Sequence, residues 1–203
     1  MPISRLDFKD KKLFPPFIRL PYDNDYNVEF YEANRAGILQ PRRHWCFLAE
    51  VTECISWIRP AYFAKDVNGD KIFIAFHTDD RSPEILRECQ VGDTFAIMYA
   101  NSHAFMDGKV GIRVEHDDSV KLFHCDLKAA LEIGDILNTE YPFCRACDKT
   151  ASSKCAKCTV KYCTKECQVA DWKPRHKREC VVGQCIMKWK SFDWWRFDYF
   201  RTP

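Results

Sequence analysis

From His44 onward the chain alternates. Trp45, Phe47, Ala49, Val51, Ile55 and Trp57 fall on one face of an extended segment, with Glu50, Thr52 and Ser56 on the other, the period of two that marks a half-buried strand. Residues 62–65 and 71–77 flank Val67-Asn68-Gly69-Asp70, and Asn-Gly between two such runs predicts a hairpin. Ser82-Pro83-Glu84 predicts a short helix, with serine at the cap and proline in the first turn, ending before Gly92-Asp93. Strands follow at residues 94–99, 110–114 and 120–123, separated by a loop holding His103, Phe105 and Asp107-Gly108 and by an Asp117-Asp118-Ser119 turn. Asp126 then caps a helix over 127–137, whose Leu127, Ala130 and Leu131 can cover the strands.

This order of strand, hairpin, helix and hairpin resembles the five-stranded OB-like barrel, so the chain reads as α+β with an OB-like antiparallel barrel and covering helix at 44–137. Such a barrel has its own apolar core and is expected to stay folded by itself. Ahead of it, residues 1–43 hold Pro2, Pro15, Pro16 and Pro21 and read as an arm, with Leu13, Phe14, Phe17, Ile18 and Leu20 able to lie on the barrel. Within that arm a short helix is expected over 28–36, stopped by Gly37. At the other end, Cys185, Trp189, Phe192, Trp195 and Tyr199 step by three and four, so 181–203 reads as an aromatic helix packing back onto the barrel.

Between a linker at 138–143 and that tail the pattern is set by cysteine. Cys144-x2-Cys147, Cys155-x2-Cys158, Cys163-x3-Cys167 and His176-x3-Cys180 form four close pairs. Eight such ligands close two tetrahedral zinc shells, and thiolate is soft enough to favour zinc over calcium or magnesium. A disulfide framework fails because seven cysteines cannot all pair and the histidine would go unexplained. Residues 161–163 read as a short strand, Thr164 as the cap of a helix through Ala170, and Asp171 as the cap of a second helix with Pro174 in its first turn. So small a segment buries little, and the metal must supply most of its folding free energy, about 10–16 kcal/mol per structural ion.

The fill between the ligands, Tyr162-Cys163-x3-Cys167-Gln168-x2-Asp171-Trp172-x3-His176-x3-Cys180, closely resembles the MYND-type zinc finger over 144–180. The resemblance implies an interleaved cross-brace, with Cys144, Cys147, Cys163 and Cys167 on one zinc and Cys155, Cys158, His176 and Cys180 on the other. It also implies a protein-binding role. Fingers of this type take short peptides of Pro-x-Leu-x-Pro type, laid extended beside the small hairpin, and the matching positions here are Gln168, Trp172 and residues 160–163. A strand supplies main-chain hydrogen bonds, an indole face suits proline rings, and a glutamine amide both donates and accepts.

Composition narrows the remaining choices. Of 203 residues, 46% are hydrophobic and 14% aromatic, which is enough for a core. No apolar run approaches a membrane span, the N-terminus lacks the pattern of a secretory signal, and zinc thiolates need a reducing compartment, so cytoplasm or nucleus is expected. Residues 144–180 hold ten Lys/Arg against four Asp/Glu, while 44–124 hold eight against thirteen. Seven thiolates on two Zn²⁺ bring the finger's excess down to about +3.

No catalytic motif is present: both zinc shells are filled by protein, His44, His77, His103, His116 and His124 are scattered, and Cys46, Cys54, Cys89, Cys125 and Cys185 read as buried hydrophobes. A SET domain, which accompanies such fingers in lysine methyltransferases, has no room here. The expectation is therefore a non-catalytic adaptor with protein partners and no small-molecule substrate. The alternative is single-stranded nucleic-acid binding, with rings from Tyr62, Phe73 and Phe105 and help from the basic finger, against which the acidic balance of the barrel argues.

Overall fold

A computed structural model describes residues 6–56, 59–79, 84–139 and 141–203. The chain opens with an extended arm and a small hairpin, β1 (Tyr31–Ala33) against β2 (Leu39–Pro41). The barrel follows: β3 (Cys46–Ser56), β4 (Pro60–Asp66), β5 (Lys71–Phe76), a one-turn helix α1 (Glu84–Arg87), β6 (Thr94–Met98), β7 (Ser102–Ala104), β8 (Val110–Val114) and β9 (Val120–Phe123). β3 pairs antiparallel with β4 and β6, β4 with β5, β6 with β9 and β7 with β8, while β5 and β8 run parallel. β8 and β9 are two halves of one strand broken at the 117–119 turn, and pairing one half to β5 and the other to β6 closes the sheet on itself. That connectivity is OB-like.

The helix expected at 28–36 is not formed. Tyr31 to Pro41 fold back as β1 and β2, with Asn34 accepting from Ala36 and Ile38 and Gly37 at φ +76° closing the turn. A glycine at positive φ ends a helix and turns a hairpin alike, and here the hairpin forms against Trp45, which Phe30 and Tyr31 meet edge-on at 5.0 and 5.6 Å. Of the remaining expectations, the cap at Ser82-Pro83 and Trp57 lie outside the described residues.

Two apolar layers share β3. Trp45, Phe47, Ala49 and Val51 point into the barrel with Tyr62, Ile72, Ile74, Phe95 and Ile112. The residues between them, Cys46 and Leu48, are buried too, on the outer face. There they meet helix α2 (Leu127–Asn138), the arm residues Leu6, Phe8, Leu13 and Phe14, and the C-terminal segment. Asp126 accepts from Ala129 N–H and Glu50 of β3 accepts from Leu127 N–H, so two carboxylates satisfy the α2 N-terminus. The arm is pinned by Leu13 C=O accepting from Cys46 N–H at 2.9 Å. Leu13, Phe14 and Leu20 are buried as expected of them, whereas Ile18 is 80% exposed.

The last helix, α4 (Lys177–Trp189), packs on α2 and β9, and it stops at Trp189 rather than continuing to Tyr199. Phe192 and Trp194 are both buried, and residues two apart lie on opposite sides of a helix, so only an irregular chain brings both inward. Phe14 lies 5.2 Å from Trp194 and Phe8 lies 5.8 Å from Trp189. Trp195 and Tyr199, members of the expected stripe, stay 48% and 57% exposed.

Candidate metal centre

Residues 141–180 continue from α2 into two sharp turns with the same local logic. In the first, Asp148 N–H bonds Cys144 C=O; in the second, Thr159 N–H bonds Cys155 C=O. Each of these residues adopts a left-handed φ, +56° for Asp148 and +65° for Thr159. The turn aims the two sulfurs of each Cys-x2-Cys at a common point. Between and after them run a hairpin, β10 (Ser153–Lys154) with β11 (Lys161–Tyr162), and helix α3 (Lys165–Asp171), whose cap Thr164 accepts from Cys167 N–H.

Two ligand clusters result: Cys144, Cys147, Cys163 and Cys167, and Cys155, Cys158, His176 and Cys180, with the ligand atoms of each within 4.8 Å of one another. The pairing is interleaved along the chain. In the first cluster Cys147–Cys163 and Cys163–Cys167 are 3.5 Å apart, sulfur to sulfur, and Cys147–Cys167 is 3.9 Å. In the second, Cys155–Cys180 is 3.9 Å and Cys158 Sγ lies 3.5 Å from His176 Nε2. A zinc–sulfur bond of about 2.3 Å gives tetrahedral S···S edges of about 3.8 Å and S···N edges of about 3.6 Å. The donor sets and their spacing therefore fit one Zn²⁺ each, with Nε2 of His176 as the nitrogen ligand. Zinc supplies cross-linking here and no open coordination position.

Electrostatics favour thiolates where the backbone reaches them. Burial works against the Cys144 thiolate, yet N–H groups of Cys163, Ala146 and Cys147 prevail and hold its pKa down to about 6. Burial likewise opposes the Cys155 thiolate, and the N–H groups of Cys158 and Lys157 again lower its pKa. Cys158, deeper, is pushed up by burial. Burial also lowers the pKa of His176, which favours the neutral imidazole that a metal ligand must be.

Asp171 does not begin a new helix. Its side chain makes no cap bond; one oxygen accepts from Tyr162 O–H at 2.7 Å and the other from Arg175 Nε at 2.9 Å. α3 instead runs through a π-helical turn, Trp172–His176, straight into α4. Pro174 sits in that wider turn, where the missing N–H and the ring are accommodated without stopping the chain. Arg175 also donates to Arg145 C=O at 2.8 Å, and Arg145 reaches Glu132 of α2 at 2.8 Å and the buried Glu179 of α4 at 3.5 Å. Desolvation raises the Glu179 pKa, with Arg145 opposing it. Sequence reasoning passed over Arg145 and Glu179; the signal was a basic residue inside the first ligand turn.

Gln168 and Trp172, the expected peptide contacts, are half-buried and four residues apart, with the Trp172 ring 5.6 Å from that of His176. The strand expected beside them is less open. Lys161 C=O already accepts from Arg145 N–H at 2.9 Å, so one side of β11 is closed by the first ligand turn and the other by β10. Of the rings assigned to a nucleic-acid surface, Tyr62 points into the barrel and is 6% exposed, whereas its neighbour Phe63 faces outward. Cys46 and Cys185 are buried as expected, but Cys54 is exposed.

The family comparison agrees with the geometry of the finger. Residues 144–180 match the MYND finger family. Two Arabidopsis thaliana proteins, ubiquitin carboxyl-terminal hydrolases 19 and 15, are 38% and 36% identical over 47 and 55 residues, 23% and 26% of this chain, in the finger region. The chain spans only 7% and 6% of their lengths. Among solved structures, Schizosaccharomyces pombe Pot1pC bound to single-stranded DNA is similar with 9% identity and a TM-score of 0.33, over 49% of this chain and 93% of that one. The OB domain of MM0293 from Methanosarcina mazei gives 11% identity and a TM-score of 0.30, over 47% and 86%. Among the described residues no helix is long and apolar enough to cross a membrane.

Proposed function

We propose that this chain is a non-catalytic adaptor, in which a two-zinc MYND finger on an OB-like barrel binds partner proteins through short proline-containing segments. The observation that carries the reading is the finger's framing. Gln168 and Trp172 stand half-exposed on a helix that continues through the second ligand cluster into the barrel's outer core, so the groove is held rigid before any peptide arrives. With β11 closed on both sides, the edge offered to an incoming strand is that of β10, Ser153 and Lys154, both exposed and paired only to β11 among the described residues. Two complete four-ligand shells support the non-catalytic part, since a hydrolytic zinc keeps a position for water.

The test is calorimetric titration of the zinc-loaded protein with a Pro-x-Leu-x-Pro peptide. Gln168→Ala is expected to keep both metal ions and the melting temperature while weakening the peptide by about 1–2 kcal/mol, the worth of a good interfacial hydrogen bond. A wild type that ignores the peptide, or a variant that binds it unchanged, would sink the groove.

A further inference from the structure

The finger's hairpin has two faces, and the groove lies against only one of them. The register sets Ser153 opposite Tyr162 and Lys154 opposite Lys161, and residues directly opposite across two strands share a face. Tyr162 is fully buried, with its hydroxyl donating to Asp171 of α3 at 2.7 Å and its ring 5.6 Å from that of His176. The Trp172 ring lies 5.6 Å from the same imidazole. The face of Ser153 and Tyr162 therefore looks towards α3 and the groove, and the face of Lys154 and Lys161 looks away from them.

A peptide strand added to β10 obeys the same alternation. In Pro-x-Leu-x-Pro the prolines and the leucine fall on one face and both x residues on the other. The pattern reads the same in either direction, so this holds whether the peptide runs parallel or antiparallel. With its prolines and leucine turned to Trp172, and to Val169, which is 62% exposed one turn earlier on α3, the peptide sets each x side chain on the face of Lys154 and Lys161.

That face is cationic. Like charges directly opposite repel, and Lys154 is exposed and in no ion pair among the described residues. Lys157, Lys165 and Lys173 are exposed and unpaired in the same sense. The four carboxylates of residues 144–180 are engaged elsewhere. Asp171 and Glu179 are buried against Arg175 and Arg145. Asp148 accepts from Tyr141 O–H at 3.4 Å, and Glu166 is tied to its own N–H and the Thr164 hydroxyl at the start of α3. From the neighbouring α2, Glu132 is paired with Arg145.

Resting on the groove reading above, we propose that the partner segment is acidic at its x positions, a sequence of the Pro-Glu-Leu-Glu-Pro kind whose carboxylates pair with Lys154 beside Lys161. The main-chain bonds and the apolar residues hold any such segment, and the charge selects among them. A lysine at an x position brings a third cation beside two, so basic segments are turned away.

The test titrates the zinc-loaded full chain with three peptides that differ only at x: Pro-Glu-Leu-Glu-Pro, Pro-Gln-Leu-Gln-Pro and Pro-Lys-Leu-Lys-Pro. The glutamate peptide is expected to bind roughly two- to fivefold tighter than the glutamine peptide, the range of exposed opposite-charge pairs, and the lysine peptide weakest. The preference should shrink between about 0.05 M and about 0.5 M salt. Lys154→Glu, at an exposed position and checked for unchanged zinc content and melting, should bind the glutamine peptide as wild type does while losing the preference for glutamate over lysine. Equal binding of the three peptides, or a glutamate preference that survives Lys154→Glu, overturns this proposal and leaves the groove standing. If none of the three binds, the groove reading itself falls and this one with it.

Discussion

Gly183 of α4 lies bare against the ligand Cys158: a β-carbon at 183 would come within 2.6 Å of Cys158 Cβ and 3.4 Å of its sulfur. Leu137 of α2 closes the same spot at 3.5 Å. Finger, last helix and covering helix therefore meet at one atom's clearance. Gly183→Ala should gain about 1 kcal/mol of helix propensity and lose about 1–3 kcal/mol to overpacking, so the expected outcome is a lowered melting temperature with weakened retention of the second metal ion. An unchanged melt with full metal content would show that the backbone gives way freely.

Metal removal should reach further than the finger. Cys144, Cys155, Cys158 and Cys180 belong to the same apolar cluster as Leu48, Met98 and Phe123 of the barrel's outer face. The barrel's own interior led the sequence to promise a part that survives alone, and the shared layer argues otherwise. Elemental analysis should find two zinc ions per chain, and chelation should lower the melting temperature of the strands as well as unfold the finger. A barrel whose far-ultraviolet melt ignores the chelator would contradict this.

The tail divides into anchors and free rings. Trp194 is 1% exposed and donates its indole N–H to Trp189 C=O at 2.9 Å, while Trp195 is 48% exposed. Trp194→Ala should cost about 3–5 kcal/mol, and Trp195→Ala should stay within about 0.5 kcal/mol of wild type. Paired denaturant titrations distinguish them. Equal effects would mean that the tail's burial is wrongly assigned.

His44 should resist protonation. It is fully buried, with Nδ1 2.6 Å from Tyr99 O–H and Nε2 3.3 Å from Asp198. Desolvation dominates and lowers its pKa, with Asp198 pulling the other way. The unfolded chain therefore takes up this proton first as pH falls. The contribution is complete above about pH 6.5 and is lost as pH falls below that value toward the folded pKa. An NMR titration should place the His44 midpoint under that of a free histidine, and His44→Gln should flatten the acid limb of the stability curve. A midpoint at or above the free value would reverse the sign.

Legibility followed the range of the forces involved. The zinc ligands were readable because a thiolate's partner is fixed by spacing, and the barrel strands because alternation marks an inside. What the sequence hid was decided at a distance. Cys46 and Leu48 interrupt the polar face of β3 because a second layer lies on it. Asp171 has the look of a cap, but Tyr162 and Arg175 claim both its oxygens. The tail's spacing suits a helix, yet Phe192 and Trp194 need burial on opposite sides of one. Phe63 rather than Tyr62 faces out because the Val51–Glu53 irregularity in β3 and the barrel's closure set which side is inner.

The helix that supplies His176 to one end and Trp189 to the other has a consequence for supply and turnover. A finger tethered by a loose linker could lose its ions and leave a lasting, merely silent remnant. Here a newly made chain that meets no zinc should also fail to seat Trp189 against Phe8 and Phe14 of the arm, and the aromatic layer so exposed should make it a substrate for proteolysis. Scarcity of the metal would thus be registered as fewer copies of the protein, not as copies that persist and do nothing.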